Sequence, residues 1–141
     1  MAAYDPDNIF AKILAGTIPS HKVYEDADVL AIMDVFPQSR GHTLVIPKAP
    51  SRNLLDADPK VLAAVIPTVQ KIARAVVAAT KADGFRLVQF NEEVAGQTVF
   101  HLHFHIIPFY EGQAIGRHAA GNRADDTELA ALARDIAGRL A

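Results

Sequence analysis

The sequence contains no cysteine and no tryptophan, and it has no strong excess of either charge. Without cysteine, the chain cannot form disulfides, thiolate nucleophiles or cysteine-ligated zinc, so any bound metal would depend on His, Asp or Glu. The formal net charge of −2 gives no electrostatic footprint for duplex nucleic acid or an anionic membrane surface. We therefore expect neither nucleic acid nor a membrane as a partner.

Reading the sequence residue by residue also gives no long apolar run. We find no stretch near the roughly 20 apolar residues of a membrane span, and the acidic start lacks the basic flank of a targeting segment. The length of 141 residues and the 50% share of hydrophobic residues are typical of one compact soluble domain. These features lead us to expect a cytoplasmic protein.

Turn signals separate five predicted strands and two predicted helices in the first part of the chain. A short amphipathic helix begins near Asp7 and stops at Gly16, and a long apolar helix runs from Asp58 to about Lys81. The predicted strands are His21–Glu25, Val29–Val35, Thr43–Pro47, Phe85–Phe90 and Thr98–Ile107. Because the strands come in runs with short connections, the pattern favours an α+β domain with a five-stranded antiparallel sheet packed on the long helix.

The chain becomes polar and glycine-rich after Pro108, and a final Ala/Leu-rich helix is predicted from Asp125 to about Leu140. We predict a main domain over residues 1–110 and a C-terminal extension with this terminal helix over residues 111–141. The sequence leaves open whether the helix docks on its own subunit or on a partner.

Histidine occupies every second position from residue 101 to residue 105. In a strand, successive side chains point to opposite faces, so three imidazoles would share one face while the other face would hold Phe100, Leu102, Phe104 and Ile106. A buried imidazole without partners costs roughly 1–3 kcal/mol, so three together require a reason. Phosphoryl chemistry and metal binding are the two that fit.

Three further segments offer polar groups that suit a phosphate and a sugar. The loop from Asn91 to Thr98 supplies an amide, a hydroxyl and closely approachable backbone N–H groups at Gly96. His42 lies at the entrance of a predicted strand, where it could orient an imidazole of the triad. Asp34 ends another predicted strand, where its carboxylate is placed either to hold a vicinal diol or to cap the following turn.

The segment His101-Leu102-His103-Phe104-His105-Ile106-Ile107 matches every position of the pattern His-φ-His-φ-His-φ-φ, where φ is apolar, and so resembles the histidine triad family. The resemblance spans about residues 7 to 109. Besides the triad, it rests on Ile9-Phe10, Ile18-Pro19, the segments around Asp34 and His42, Ile46-Pro47-Lys48, Asn91 and Gly96-Gln97-Thr98. Agreement of several ordered blocks is far more specific than the triad alone.

The resemblance implies hydrolysis or transfer at the α-phosphate of adenosine phosphoramidates or dinucleoside polyphosphates, without a cofactor or a bound metal. It makes His103 the nucleophile of a covalent nucleotidyl-histidine, with a neutral ring whose second nitrogen is protonated against a backbone carbonyl. His105 would donate to the phosphate and the leaving group. His101 and His42 would form a supporting hydrogen-bond chain.

The same resemblance implies how a purine nucleotide would be held and how the chain would assemble. The expected phosphate ligands are Asn91, Gln97, Thr98 and the backbone of Gly96, and Asp34 would take the ribose hydroxyls. The base would be lined by Ile9, Phe10, Ile18, Ile32 and Val35, although all of these except Val35 are equally suited to a core. A homodimer is implied across the long helix and one sheet edge, which the apolar run Val61–Ile66 supports weakly.

Two other functions stay open at this stage. One is a nucleotide-binding adaptor that senses AMP-like ligands and contacts another protein through its C-terminal helix. The other is a His-ligated metalloprotein, because His-x-His on a strand presents two ligands to zinc. Turnover of a nucleotide panel separates the first from an enzyme, and metal analysis separates the second.

Overall fold

The computed structural model describes residues 1–115 and 123–140. The strands are β1 (Lys22–Glu25), β2 (Val29–Met33), β3 (Thr43–Pro47), β4 (Gly84–Val88) and β5 (Phe104–Phe109). The helices are α1 (Ile9–Leu14), α2 (Pro59–Thr80) and α3 (Asp126–Ala137). The strands form one antiparallel sheet in the order β1-β2-β3-β5-β4. The expected α+β fold, with a five-stranded antiparallel sheet, one long helix and a helix near each end, is confirmed.

Both faces of the sheet are covered, but by different elements. One face, which we call the helical face, packs side chains such as Ala31, Val45 and Ile106 against α2 and α3 in a large apolar cluster. The other, the histidine face, carries a smaller apolar cluster of Leu30, Ile32, Leu44 and Ile46, which Phe10 of α1 covers. Because side chains alternate along a strand, β2, β3 and β5 each contribute to both faces. His105 lies between Phe104 and Ile106 on β5 and points to the histidine face.

The long helix α2 begins at a side-chain cap and ends without glycine. Asp58 accepts a hydrogen bond from the Lys60 backbone, and Pro59 occupies the first helical turn, where its missing N–H costs nothing. At the other end, Lys81 takes the left-handed conformation with φ 57° and closes the helix. Gly84 then opens β4, so the helix and strand boundaries lie close to the predicted ones.

The expectation that no segment has the length and composition of a membrane span was wrong for Pro59–Thr80. This helix is long and apolar enough to cross a membrane by length and composition alone. A core helix passes the same test, and here Val65, Ile72 and Val76 are buried in the helical-face cluster. Lys71 and Arg74 lie within this helix, so the sequence shows no unbroken apolar stretch of that length.

Helix α3 docks on its own subunit. Leu129, Leu132, Ala133 and Ile136 are buried in the same cluster as α2 and the helical face of the sheet. At the surface, His21 bonds Asp126 at 2.9 Å. Of the predicted extension, residues 116–122 and 141 lie outside the described residues.

The predicted strand Thr98–Ile107 is wrong in its first half. The ladder begins only at Phe104, and residues 99–101 form a bend. Two backbone groups of this segment have other partners: Leu102 N–H donates to the Ser51 carbonyl at 2.9 Å, and the His101 carbonyl accepts from the His103 ring at 2.6 Å. Phe100 consequently does not join the core; it is half-buried with the Arg52 guanidinium 4.2 Å from its ring centroid.

Candidate active site

The ring of His103 is held in one orientation on the histidine face. Its Nδ1 lies 2.6 Å from the backbone carbonyl of His101. A carbonyl oxygen only accepts, so Nδ1 carries the hydrogen and a neutral ring keeps its lone pair on Nε2. Phe10 packs edge-on against this ring with centroids 4.7 Å apart, and the residue is only 6% exposed. The contact of the His103 ring with a backbone carbonyl has the arrangement expected for the nucleophile, and the role of His103 stays a prediction.

His42 and His105 form a hydrogen-bonded pair whose direction is set by the backbone. The Gln38 N–H donates to His42 Nδ1 at 3.0 Å, so a neutral His42 carries its hydrogen on Nε2. That Nε2–H donates to His105 Nδ1 at 2.9 Å, which places the hydrogen of a neutral His105 on its own Nε2. The rings of His105 and His103 are neighbours, with centroids 4.9 Å apart. His105 therefore presents a donor and His103 a lone pair from adjacent imidazoles.

Asp34 lies directly after β2 and its carboxylate has two roles. One oxygen accepts from the Phe36 backbone N–H at 2.8 Å, which caps the turn as the sequence allowed. The other lies 3.5 Å from His42 Nε2, within reach of a positive charge on that ring. The expected ribose contact stays a prediction.

His101 is buried but does not join His42, so the predicted chain between these two residues was wrong. His101 Nε2 lies 2.7 Å from the Pro47 carbonyl, and its Nδ1 lies 2.7 Å from the Tyr4 hydroxyl. The carbonyl assigns the hydrogen to Nε2, so Nδ1 accepts from Tyr4. Burial lowers the pKa of His101 from its ordinary value, although the Pro47 carbonyl opposes this in part. The physical reason for the correction is that both ring nitrogens of His101 already have partners, the Pro47 carbonyl and the Tyr4 hydroxyl, so neither is left for His42.

Gln97 holds the loop before the triad together. Its amide donates to the carbonyls of Arg52 and Val99 at 2.7 and 3.1 Å, which uses both hydrogens. Its oxygen accepts from the Glu92 N–H and from Asn53 Nδ2. The predicted donation from Gln97 to phosphate is thus not what the structure has, because a buried amide satisfies the backbone around it first. Gln97 instead fixes the shape of the loop.

An ion pair ties the same loop to the segment that follows β3. The Arg52 guanidinium binds both carboxylate oxygens of Glu92 at 2.8 and 3.0 Å, and Asn53 Nδ2 donates to Glu92 at 2.7 Å. These hydrogen bonds, that from Arg52 first, lower the pKa of Glu92. Glu92 has φ 73°, which is strained for a residue other than glycine. The ion pair compensates for that strain next to the expected phosphate site.

The other expected phosphate ligands lie on the open side of this loop. Asn91 accepts from the Leu54 N–H and exchanges hydrogen bonds with the Gln89 amide at 2.8 and 2.9 Å, which fixes its side chain. Gly96 has φ 106°, and a Cβ there would lie 3.1 Å from the Phe90 ring. Thr98 is exposed. Their phosphate contacts stay predictions.

The residues expected to line the base separate into two groups. Phe10 and Ile32 are buried on the histidine face, Ile9 is 48% exposed on α1, and Ile18 is half-buried after it. Val35 packs instead against the helical-face cluster, so its predicted place in the base pocket was wrong. Alternation along β2 explains this, because Val29, Ala31 and Met33 point to the helical face and Val35 continues their parity, opposite to Ile32.

The sequence did not reveal four residues of the site. Tyr4 bonds His101 across 97 positions of sequence, and Phe90 packs edge-on against His105 with centroids 5.4 Å apart. Arg52 and Asn53 hold the loop. Only Asn53 has a local signal, since Asn53 and Asp56 form the capping box of a short turn.

A group of possible metal ligands lies within the described residues. One ligand atom each of Asp34, His42 and His105 falls within 4.8 Å of the others. A metal on His42 Nε2 would require the hydrogen on Nδ1, where it would face the donating Gln38 N–H. The donor set suits zinc, but the backbone around His42 favours the hydrogen-bonded pair.

Comparisons with known proteins agree with this fold. The HIT domain family matches residues 15–112. A crystal structure of a Hit-like protein from Bartonella henselae is 53% identical, with TM-score 0.91 over 98% of this chain and 100% of that one. A zinc-bound histidine triad family protein from Mycobacterium smegmatis is 34% identical, with TM-score 0.81 over 95% and 93%. A protein from Arabidopsis thaliana named adenylylsulfatase HINT3 is 37% identical over 91% of this chain and 68% of its own length.

Proposed function

The chain belongs to the histidine triad (HIT) family, and from that membership we propose that it is a nucleotide hydrolase or transferase acting at the α-phosphate of adenosine phosphoramidates or dinucleoside polyphosphates. The observation that carries the proposal is the contact between His103 Nδ1 and the His101 carbonyl. It leaves Nε2 of His103 as a neutral nucleophile on a ring that is already oriented.

The proposed reaction has two steps. In the first, His103 Nε2 bonds to the α-phosphorus and the bond to the leaving group breaks, while His105 Nε2–H donates a hydrogen bond to the departing atom, which takes its proton from solvent. In the second, water attacks the phosphorus of the nucleotidyl-histidine, the bond between phosphorus and His103 Nε2 breaks, the proton of the water passes to solvent, and the nucleoside monophosphate and the neutral ring of His103 are released. The pair of His42 and Asp34 supports this role, because His42 Nε2–H bonds His105 and the carboxylate lies 3.5 Å from the same nitrogen.

Nucleotide binding is proposed at the open rim of the same face. Backbone N–H groups at Gly96 and the side chains of Asn91 and Thr98 would bind phosphate oxygens as charge spreads over them. Asp34 would exchange part of its contact with His42 for the ribose hydroxyls. Because apolar walls discriminate bases weakly, the proposal of a purine rests on family resemblance.

The test is a substrate panel offered to the native chain and to two variants. The panel contains an adenosine phosphoramidate, a dinucleoside tetraphosphate and adenylyl sulfate, the last chosen because of the name of the Arabidopsis relative. We expect turnover by the native chain and by His21→Asn, a surface histidine, and loss of turnover in His103→Asn. Full turnover by His103→Asn would remove this residue from the mechanism, whereas tight binding without any turnover would favour the adaptor.

A metal centre is the second candidate, because Asp34, His42 and His105 lie close enough to share an ion. Metal analysis of the purified protein tests it. Stoichiometric zinc, with activity lost to chelation and restored by zinc, would replace the metal-free proposal. Activity that persists in the presence of a chelator would support the metal-free proposal.

A homodimer is proposed across α2 and β4. β4 is an edge strand with Phe85 and Leu87 44% and 48% exposed, and with Ile66 and Val77 of α2 these side chains line an apolar groove of about 630 Å³. An exposed apolar edge strand favours pairing with another strand. Light scattering at micromolar concentration is expected to give a dimer, and Leu87→Glu a monomer. Leu55→Glu, at an exposed leucine outside the groove, is the matched control; a native monomer would contradict the proposal.

A further inference from the structure

The N-terminal segment reaches two of the three triad histidines. Tyr4 bonds His101 through its hydroxyl and packs against that ring at 5.6 Å between centroids, while Phe10 packs against His103. Between them, Asp5 accepts from the Asp7 N–H and from Asn8 Nδ2, and Asn8 caps α1. Residues 4–10 are therefore an ordered strap with one aromatic ring on His101 and another on His103.

Resting on the proposed function, we infer that Tyr4 is a positioning residue that keeps His103 in its nucleophilic tautomer by fixing His101. The two residues are connected through the backbone, because the carbonyl that accepts from His103 belongs to His101. That carbonyl belongs to a peptide unit whose N–H, at Leu102, donates to the Ser51 carbonyl. Its orientation also depends on the His101 ring, which has two anchors: the Pro47 carbonyl on Nε2 and the Tyr4 hydroxyl on Nδ1.

The fixed tautomer matters because a free neutral imidazole in water favours the hydrogen on Nε2, which would block the attacking nitrogen. The protein must therefore supply an acceptor to Nδ1 of His103 in a constant position. His101 is 1% exposed, so removing the Tyr4 hydroxyl would leave Nδ1 of His101 buried without a hydrogen-bond donor. The ring would then retain a single anchor, and the peptide unit that carries the carbonyl of residue 101 would depend more on its Leu102–Ser51 hydrogen bond alone, which leaves the carbonyl freer to tilt.

The arrangement also explains why His101 differs from the other triad members. Its side chain contacts Pro47 and Tyr4, whereas His103 and His105 contact each other. Burial lowers the pKa of His101, which keeps the ring neutral and preserves Nδ1 as an acceptor for Tyr4. The backbone carbonyl of His101 thus positions His103, and the Tyr4 hydroxyl positions the ring of His101.

The test compares Tyr4→Phe with Tyr24→Phe, a matched control on β1 whose hydroxyl bonds Asp26 outside the site. Circular dichroism and thermal melting establish that both variants fold. We expect Tyr4→Phe to lower kcat about ten-fold, the factor that corresponds to one net hydrogen bond, with KM unchanged. Nitrogen-15 spectra of the imidazoles should change from the pure Nδ1–H pattern at His103 to a mixture, while Tyr24→Phe resembles the native chain in both measurements.

Two results would overturn the inference. One is an unchanged His103 nitrogen spectrum in folded Tyr4→Phe, and the other is an equal loss of kcat in Tyr24→Phe. The spectra need no substrate, so they decide the role of Tyr4 even if the native chain turns over no member of the panel, a result that would refute the proposed function instead.

Discussion

The two faces of the sheet are formed by the same strands, but they bury different kinds of side chain. On the helical face, a large apolar cluster joins β2, β3 and β5 to α2 and α3, and the buried polar side chains there, Thr43 and Thr80, are uncharged hydroxyls that bond backbone carbonyls. On the histidine face, a smaller apolar cluster lies beside buried polar residues, which are Asp34, His42, Asn53, Gln97, His101, His103 and His105. Apolar burial stabilises a fold wherever it occurs, whereas each buried polar group must find a partner.

The difference shows that the histidine face is organised by hydrogen bonds from the backbone. The Gln38 N–H and the carbonyls of His101 and Pro47 each fix the hydrogen position of one imidazole. Such contacts contribute little net stability, but they select one tautomer per ring. We therefore expect the helical face to account for most of the stability, and the histidine face for the proposed chemistry.

The strongest test of this division uses neighbours on β5 that point to opposite faces. Ile106→Ala removes fully buried methyl groups from the helical face and is expected to cost about 2–5 kcal/mol of the free energy of unfolding, measured by urea denaturation. The kcat of the folded fraction should be unchanged. His105→Asn should show the reverse, with turnover reduced about 10²–10⁴-fold and a smaller loss of stability. A loss of kcat in folded Ile106→Ala would mean that the faces are not independent.

A second test concerns Gln97, where the histidine face meets the loop. Gln97→Glu replaces two donated hydrogens with oxygen facing the Arg52 and Val99 carbonyls. We expect a loss of about 1–3 kcal/mol in stability together with lower kcat, because the loop loses its shape. Gln113→Glu, on the exposed surface, is the control. If KM rose while stability stayed the same, Gln97 would contact the phosphate directly, as the sequence alone had indicated.

The sequence predicted the sheet well because its strands alternate and its turns contain Gly, Pro and Asp. The alternation of Leu30, Ala31 and Ile32 already separates the two faces. It predicted the start of β5 poorly for the same reason: alternation continues back to Thr98, although the backbone bends at residues 99–101. Side-chain capture of a backbone carbonyl, as by the His103 ring, leaves no periodic signal.

For the site, the sequence predicted the residue types better than their partners. His42, His103 and His105 do come together, because they lie on adjacent strands or directly before one. Tyr4 was missed because nothing local connects it to a residue 97 positions away. Val35 was misplaced because it was grouped with Ile32, although the alternation of β2 puts it on the same face as Ala31 and Met33.

A third prediction concerns how stability depends on pH through His101 on the histidine face. Burial holds the pKa of His101 below the ordinary value of about 6.5 that the unfolded chain keeps. Between these two pKa values the unfolded state binds more protons than the folded state. The contribution of His101 to stability is therefore complete above about pH 6.5 and falls as the pH drops below that value. The fall is at most about 1.4 kcal/mol per pH unit for this group. Urea denaturation at pH 7.5, 6.5 and 5.5 measures the slope. His101→Gln should reduce it, and an equal slope in that variant would exclude His101 as its source.

The smallest expected effects come from Ile9 and Val35, two residues with the same predicted role that the structure places on different faces. Val35→Ala should lower stability by about 1 kcal/mol without changing KM, because the side chain packs against the helical-face cluster. Ile9→Ala should leave stability within about 0.5 kcal/mol, since the residue is 48% exposed, and raise KM for an adenosine nucleotide about three-fold through lost apolar contact. Both quantities are measured on each variant, so each serves as the control for the other. A rise in KM for Val35→Ala would place the base on the side of the helices and reverse the assignment of the two faces.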